Sequence, residues 1–348
     1  MKSFTVPKYS RKSWVALGGT IILLWLMITQ GFGELANPLK ANFGDFEISK
    51  APKYAYATII TAEGDVEYPD VEEPYLRATR LLAFQLLRSP RIRNNTLDIP
   101  FLVLVTPEIP QRHREILRDD GAIVVPVESL EREWIRPKWG RWNSVLAKLN
   151  LWKFEEYEKI VFLDADSVLF RPIDDIFNIP TTDIRESVVT NSTVLANLPT
   201  NITRKMPQQY MLAGIHDLWM EQFMQPPPEK EFYEKNNYLN AGFFVLHPSL
   251  EVYDYYSALL DTPNQFDSAY PEQNLLNFAH RTDGPMPWKD LGPGWNSKFA
   301  REGDYKNGIR SIHQKWWRKS YEQFLDDRVA EAMEEMEQYH RAKNETLA

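Results

Sequence analysis

The chain has 348 residues, of which 43% are hydrophobic and 25% charged; that is the composition of a folded globular protein, long enough for one large α/β domain or two small ones. Its net charge of −8 provides no overall basic field, which speaks against a nucleic-acid partner. With no cysteine, disulfides, thiolate metal sites and a cysteine nucleophile are excluded.

Basic residues are concentrated at the start. Lys2, Lys8, Arg11 and Lys12 fall within residues 1–12 with no acid among them, and Trp14 to Ile28 is then uncharged and mostly apolar, the uncharged run reaching Gly33. About 20 such residues can cross a bilayer, and a basic flank keeps the N-terminal side cytoplasmic. The expected layout is a cytoplasmic tail at 1–12, a transmembrane signal anchor at 13–33 and a stem or linker at 34–53 punctuated by Pro38 and Pro52. This describes a single-pass type II membrane protein. A cleaved signal peptide ending near Ala36 competes with the anchor, and either one delivers the rest of the chain to the secretory lumen. Asn-x-Ser/Thr sequons at Asn94, Asn191, Asn201 and Asn344 suit that compartment.

Beyond the stem, strand and helix patterns alternate. Tyr54 to Ile60 reads as a strand, Glu72 to Leu87 as a helix, Phe101 to Val105 as a strand, Pro110 to Arg118 as a helix and Ala122 to Val127 as a third strand. Such repetition implies an α/β fold with a mostly parallel central sheet flanked by helices. Asn143 to Tyr157 reads as a helix leading into the apolar run Val161-Phe162-Leu163. Regular patterning then weakens, and residues 178–237, with Pro207 and Pro226-Pro227-Pro228, read as an insertion over one face of the domain. Tyr238 to Leu246 resumes as a strand, helices follow at Leu250 to Leu260 and Glu272 to Ala279, and a charged amphipathic helix or tail occupies 321–348.

The apolar run ends in Asp164-Ala165-Asp166. A buried strand with this ending aims two carboxylates into the crevice beyond its carboxyl end, where α/β sheets bind ligands. Carboxylate oxygens there suit Mg²⁺ or Mn²⁺, and such an ion holds a substrate's phosphates. Three readings fit the motif by itself. It is a solvated strand end, a nucleotide-sugar transferase site, or the site of a haloacid-dehalogenase-type phosphatase with Asp164 as nucleophile and Asp166 as acid/base. The third sits poorly with the order of elements, because such phosphatases carry the nucleophile on the first strand. A non-catalytic glycan-binding membrane protein is the alternative outside enzymes.

Five landmarks in order carry more weight than the motif. Ala147-Lys148-Leu149-Asn150-Leu151-Trp152, Phe162-Leu163-Asp164-Ala165-Asp166, Leu239-Asn240-Ala241-Gly242-Phe243-Phe244-Val245, Pro271-Glu272-Gln273-Asn274-Leu275-Leu276-Asn277 and Ile312-His313 together resemble the glycogenin-like family 8 retaining glycosyltransferases. The resemblance implies a GT-A (Rossmann-like) domain over residues 54–320, retaining transfer of a hexose from a UDP-sugar donor to a glycan or glycoconjugate acceptor, and a manganese ion. It assigns Asp164, Asp166 and His313 to Mn²⁺, and Lys148 to the donor phosphates in a catalytic role. Asn240 would orient donor hydroxyls, and Gly242 would let the backbone come close. Gln273 falls near the anomeric carbon, and Glu272, where the family has Asp, on a sugar hydroxyl. Thr58 and Thr61 would line the uracil pocket and Tyr75 stack on the base. After His313 this chain has Gln314-Lys315-Trp316-Trp317 in place of the family's glycine and Lys-Pro-Trp, with Lys315 directed at the β-phosphate. Golgi residence with a lumenal domain follows from the resemblance and the anchor together, and a homodimeric assembly is left open.

Overall fold

The computed structural model describes residues 53–61, 73–93, 98–188, 198–218, 230–318 and 322–347. The tail at 1–12, the anchor at 13–33, nearly all of the stem, and the sequons at Asn94 and Asn191 lie outside the described residues. Asn201 and Asn344 are described, and both are exposed. No described helix is long and apolar enough to cross a membrane.

Seven strands form the central sheet in the order β10-β8-β9-β4-β1-β2-β3. β1 (Tyr54–Ile60), β2 (Phe101–Val105), β3 (Ile123–Pro126) and β4 (Lys159–Leu163) pair in parallel, joined by α1 (Pro74–Leu87) and α2 (Gln111–Asp119). Runs such as Phe-Leu-Val-Leu-Val in β2 are buried throughout, as expected where helices cover both faces of a parallel sheet. Side chains alternate between two cores: in β4, Ile160 and Phe162 join one, Val161 and Leu163 the other. The mostly parallel α/β expectation is met.

β9 (Leu239–Leu246) runs antiparallel to both its neighbours, β4 and β8 (Leu212–His216), and β8 pairs in parallel with the two-residue β10 (Lys289–Asp290). β8 corrects the sequence reading of 178–237 as an insertion over the domain. All five of its residues are buried and it lies between β9 and β10 inside the sheet. The run Tyr210 to Ile215 is short, uncharged and without alternation, which is how a strand buried on both faces reads. Other parts of the stretch form a small hairpin of β6 (Arg185–Glu186) with β7 (Gln209–Tyr210).

A second difference concerns the segment before β4. Where an α-helix is expected over Asn143 to Tyr157, the chain forms a 3₁₀ helix over Val145–Lys153. Every residue from Val145 through Trp152 is buried, packed among α3 (Leu250–Leu260), α4 (Pro271–Ala279) and the sheet. No solvent face exists to favour an amphipathic α-helix, so tertiary packing decides the winding.

Outside the main sheet, β5 (Ser167–Leu169) pairs antiparallel with β11 (Ser311–His313). The C-terminal helix α5 (Gln323–Leu347) lays Leu325, Val329, Ala332, Met333 and Met336 against Leu81 and Phe84 of α1. That spacing is one apolar stripe of an α-helix. The C-terminal segment is therefore packed on the domain as a third core, which an exposed tail would not be.

Candidate active site

β4 stops at Leu163, and the turn Asp164-Ala165-Asp166 leads directly into β5. The β5–β11 register sets His313 opposite Ser167, next to Asp166. His313 Nε2 stands 3.1 Å from Asp166 Oδ1 and 3.4 Å from Asp164 Oδ2, and one ligand atom from each of the three residues lies within 4.8 Å of the others. Two carboxylates and an imidazole form a donor set that suits Mn²⁺. Burial alone would lower the His313 pKa, but Asp166 and Asp164 raise it above its ordinary value. Burial would likewise raise Asp166, and His313 and Lys315 hold it below the usual range. Both shifts describe a pocket that favours a cation between two anions.

Gly242 faces this cluster. A Cβ there would stand 2.6 Å from His313 Nδ1 and 2.8 Å from Asp164 Oδ2, in the space the ligands need. No side chain fits. His313 Nδ1 is itself buried without a hydrogen-bond partner, which leaves the cluster built for a guest and the residues a fit for the metal.

Behind the carboxylates, Lys148 is 4% exposed. Its ammonium donates to Asp164 Oδ1 at 2.9 Å, Glu272 Oε1 at 3.1 Å and the Ala241 carbonyl at 3.1 Å. Three donors meet three acceptors. Burial pulls its pKa down, yet Asp164 and Glu272 more than reverse that and hold the lysine charged.

The opposite wall is made by an irregularity in β9. Gly214 pairs with Phe244 and His216 with Leu239, so residues 240–243 of β9 stand opposite Ile215 alone. Such a bulge takes backbone groups out of the ladder, and buried ones need other partners. Side chains supply them: the Ala241 N–H donates to Gln273 Oε1 at 2.9 Å and the Gly242 N–H to Asn240 Oδ1 at 2.8 Å. The Gly242 carbonyl accepts from the Asp164 N–H at 2.8 Å, which ties this wall to the metal side. Asn240 Nδ2 and Gln273 Nε2 both donate to Asp217, at 3.2 and 2.9 Å, and Lys298 pairs with the same carboxylate.

At the far end, Thr61, Tyr75 and Lys315 line the same cavity, of about 520 Å³. The Tyr75 ring meets Trp317 edge-on at 5.0 Å, and Lys315 Nζ sits 5.6 Å from its centroid.

Every residue expected at the site lines this cavity except Thr58. Thr58 lies within β1, fully buried, and its hydroxyl has no hydrogen-bond partner. Only the carboxyl end of a strand reaches the crevice, and Thr61 occupies that position. Sequence reasoning missed Asp217, Lys298, Lys138, Trp139, Trp142 and Tyr270, all of which line the cavity. Asp217 carried a weaker signal than Asp164, since the apolar run before it ends at Ile215 and His216 intervenes.

Residues 71–327 match the model of glycosyl transferase family 8. Galactinol synthase 7 of Arabidopsis thaliana is 31% identical over 238 residues, covering 66% of this chain and 61% of that protein. Galactinol synthase 4 of the same plant is 29% identical over 245 residues, 68% of this chain and 64% of that one. The chain thus spans less than two thirds of either synthase. A protein of Schizosaccharomyces pombe without an assigned activity is 25% identical over 317 residues, 84% of this chain and 77% of its own. Among solved structures, the bifunctional glycosyltransferase WbbM superposes with a TM-score of 0.47 at 13% identity, over 95% of this chain and 60% of that one.

Proposed function

The chain belongs to glycosyltransferase family 8, a family of retaining transferases, and from that premise we propose that it moves a hexose from a UDP-sugar to a glycan or glycoconjugate acceptor, dependent on Mn²⁺. The observation that carries this reading is the convergence of Asp164, Asp166 and His313 on one point of the cavity. These three residues would hold the ion, which when bound neutralises a diphosphate leaving group as a Lewis acid.

The remaining chemistry falls to the chain's own groups. Tyr75 offers a ring to the base, with stacking on the order of 1–3 kcal/mol, and Lys315 beside it offers a cation to the phosphates. Because all three Lys148 donors are engaged, this lysine acts as a positioning residue that holds Asp164 and Glu272 in place. Asp217, Asn240 and Gln273 form the polar floor for donor hydroxyls. Gln273 is held at both ends, by Ala241 and Asp217, and the Asp217 carboxylate is compensated by Lys298; neither is free to attack carbon. Retention then proceeds on one face of the sugar. The bond from C1 to the phosphate oxygen breaks, the bond from C1 to the acceptor oxygen forms, and the acceptor proton passes to the departing phosphate.

Family membership displaces the phosphatase reading, and the ion pairs that engage Asp164 agree. The test is UDP release by the full chain with Mn²⁺ across a panel of UDP-sugars, with and without a chelator. Galactosyl donors head the panel, since two relatives are galactinol synthases. Asp166→Ala should abolish release, and unchanged turnover would sink the proposal. We place the protein at the Golgi membrane through the uncharged run at 13–33, with the domain lumenal; protease protection of the domain in intact vesicles checks that, and digestion without detergent rejects it.

A further inference from the structure

The cavity runs past its polar floor to a rim of aromatic rings that the donor chemistry leaves unused. Trp139 is 45% exposed there, and it stands beside other aromatic rings that line the same cavity. Trp142 and Tyr270 line the same rim, their rings 4.9 Å apart and inclined at 43°. Lys138 Nζ lies 5.8 Å from the Tyr270 centroid and 6.0 Å from that of Trp139.

The rim is rigid. Trp134 Nε1–H donates to the Leu260 carbonyl at 2.7 Å, the Arg136 N–H to Ser268 Oγ at 3.0 Å and the Lys138 N–H to the Ala269 carbonyl at 2.9 Å. These bonds tie the segment to the end of α3 and to the chain entering α4, which carries Glu272 and Gln273 just beyond Tyr270 and Pro271. The other aromatic end, at Tyr75 and Lys315, joins the metal side, where the Gln314 N–H donates to the Asp166 carbonyl at 3.3 Å. The rim therefore lies on the sugar side of the cavity, where an acceptor hydroxyl has to approach.

We propose that Trp139, Trp142 and Tyr270 form the acceptor platform, and that it takes a neutral pyranose ring stacked by its C–H face on the Trp139 indole, with the Lys138 ammonium hydrogen-bonded to a ring hydroxyl. The inference rests on the transferase reading above. A pyranose presents polarised C–H groups that match the negative face of an indole, while its hydroxyls point to the sides. A platform whose leading segment is already hydrogen-bonded in place loses less freedom when the ring docks.

The test uses the full chain with methyl α- and β-pyranosides of glucose, galactose and mannose as probes, and reads binding by ligand-observed NMR and acceptor KM by UDP release. Trp139→Ala should weaken glycoside binding and raise acceptor KM about tenfold, with Trp139→Phe restoring most of it. The rise in Tm given by UDP with Mn²⁺ should persist in both variants, which also reports that they fold. Wild-type binding in Trp139→Ala overturns the platform, as does a wild-type chain that binds none of the glycosides. Loss of the UDP effect in Trp139→Ala overturns it too, by moving Trp139 to the donor site. A wild-type chain that neither releases nor binds UDP refutes the transferase reading instead, and glycoside binding still decides the platform.

Discussion

The two walls of the cavity are held in different ways. On the parallel side, charged groups meet one another: Asp164 and Asp166 face His313, and Lys148 bridges Asp164 to Glu272. On the antiparallel side, Asn240 and Gln273 spend their amides on backbone groups released by the β9 bulge and on Asp217. The first wall depends on charge balance in a buried place, where one lost partner leaves an uncompensated ion. The second depends mainly on hydrogen bonds from neutral amides, and its carboxylate, Asp217, keeps Lys298 as a counter-charge when an amide is lost. Failures of the first wall should accordingly be the larger.

Removing the bridging ammonium tests this most severely. Lys148→Met leaves Asp164 and Glu272 facing each other without a cation, and should lower stability by about 3–5 kcal/mol in a denaturant titration at neutral pH. A change below 1 kcal/mol would show that solvent reaches this pair. Next in size is Gly242→Ala, whose methyl intrudes between His313 and Asp164. Loss of Mn²⁺ affinity on the order of 100-fold is expected, read as the Mn²⁺-dependent rise in Tm; wild-type affinity would mean that the bulge yields.

Two histidines sharpen the contrast. The neighbouring carboxylates raise the His313 pKa against the effect of burial, whereas burial pushes His280, at the end of α4, down to about 4. The His280 Nδ1–H donates to the Met286 carbonyl at 2.8 Å, and its Nε2 accepts from the Tyr256 hydroxyl at 2.6 Å, so the ring is neutral. Its folded pKa lies below the unfolded value. The stability it contributes is therefore complete above pH 6.5 and lost as pH falls toward 4. The loss is on the order of 3 kcal/mol, at about 1.4 kcal/mol per unit. His280→Gln should flatten stability across that window, and an unaltered slope would reject the assignment. The smallest effect expected is that of Gln273→Ala, which strands the Ala241 N–H and weakens Asp217's hold. About 1–3 kcal/mol of stability should go, together with transfer activity, while the Mn²⁺ effect on Tm survives.

The walls also differ in how far sequence reveals them. Asp164 and Asp166 end an apolar run, and their role follows from a rule about where parallel strands point. Thr58 shows the limit of that rule, because being on the right strand is not being at its end. Asp217 follows a strand too, but His216 separates it from the apolar run, and β8 lies between stretches of weak pattern that hide it. Lys298 and the Trp139 rim carry no periodic or spacing signal, since loops reach the cavity only through contacts made far along the chain.

Local sequence thus determined the apolar strands, the alternation of helices with them, the Asp-x-Asp turn and the family landmarks in order, because side-chain periodicity and strand ends are short-range properties. Tertiary structure alone decided the reversed strand β9 and its bulge, the 3₁₀ winding of Val145–Lys153, and the meeting of His313 with Asp166. These follow from satisfying backbone groups and packing surfaces among segments distant in sequence, which no local pattern records.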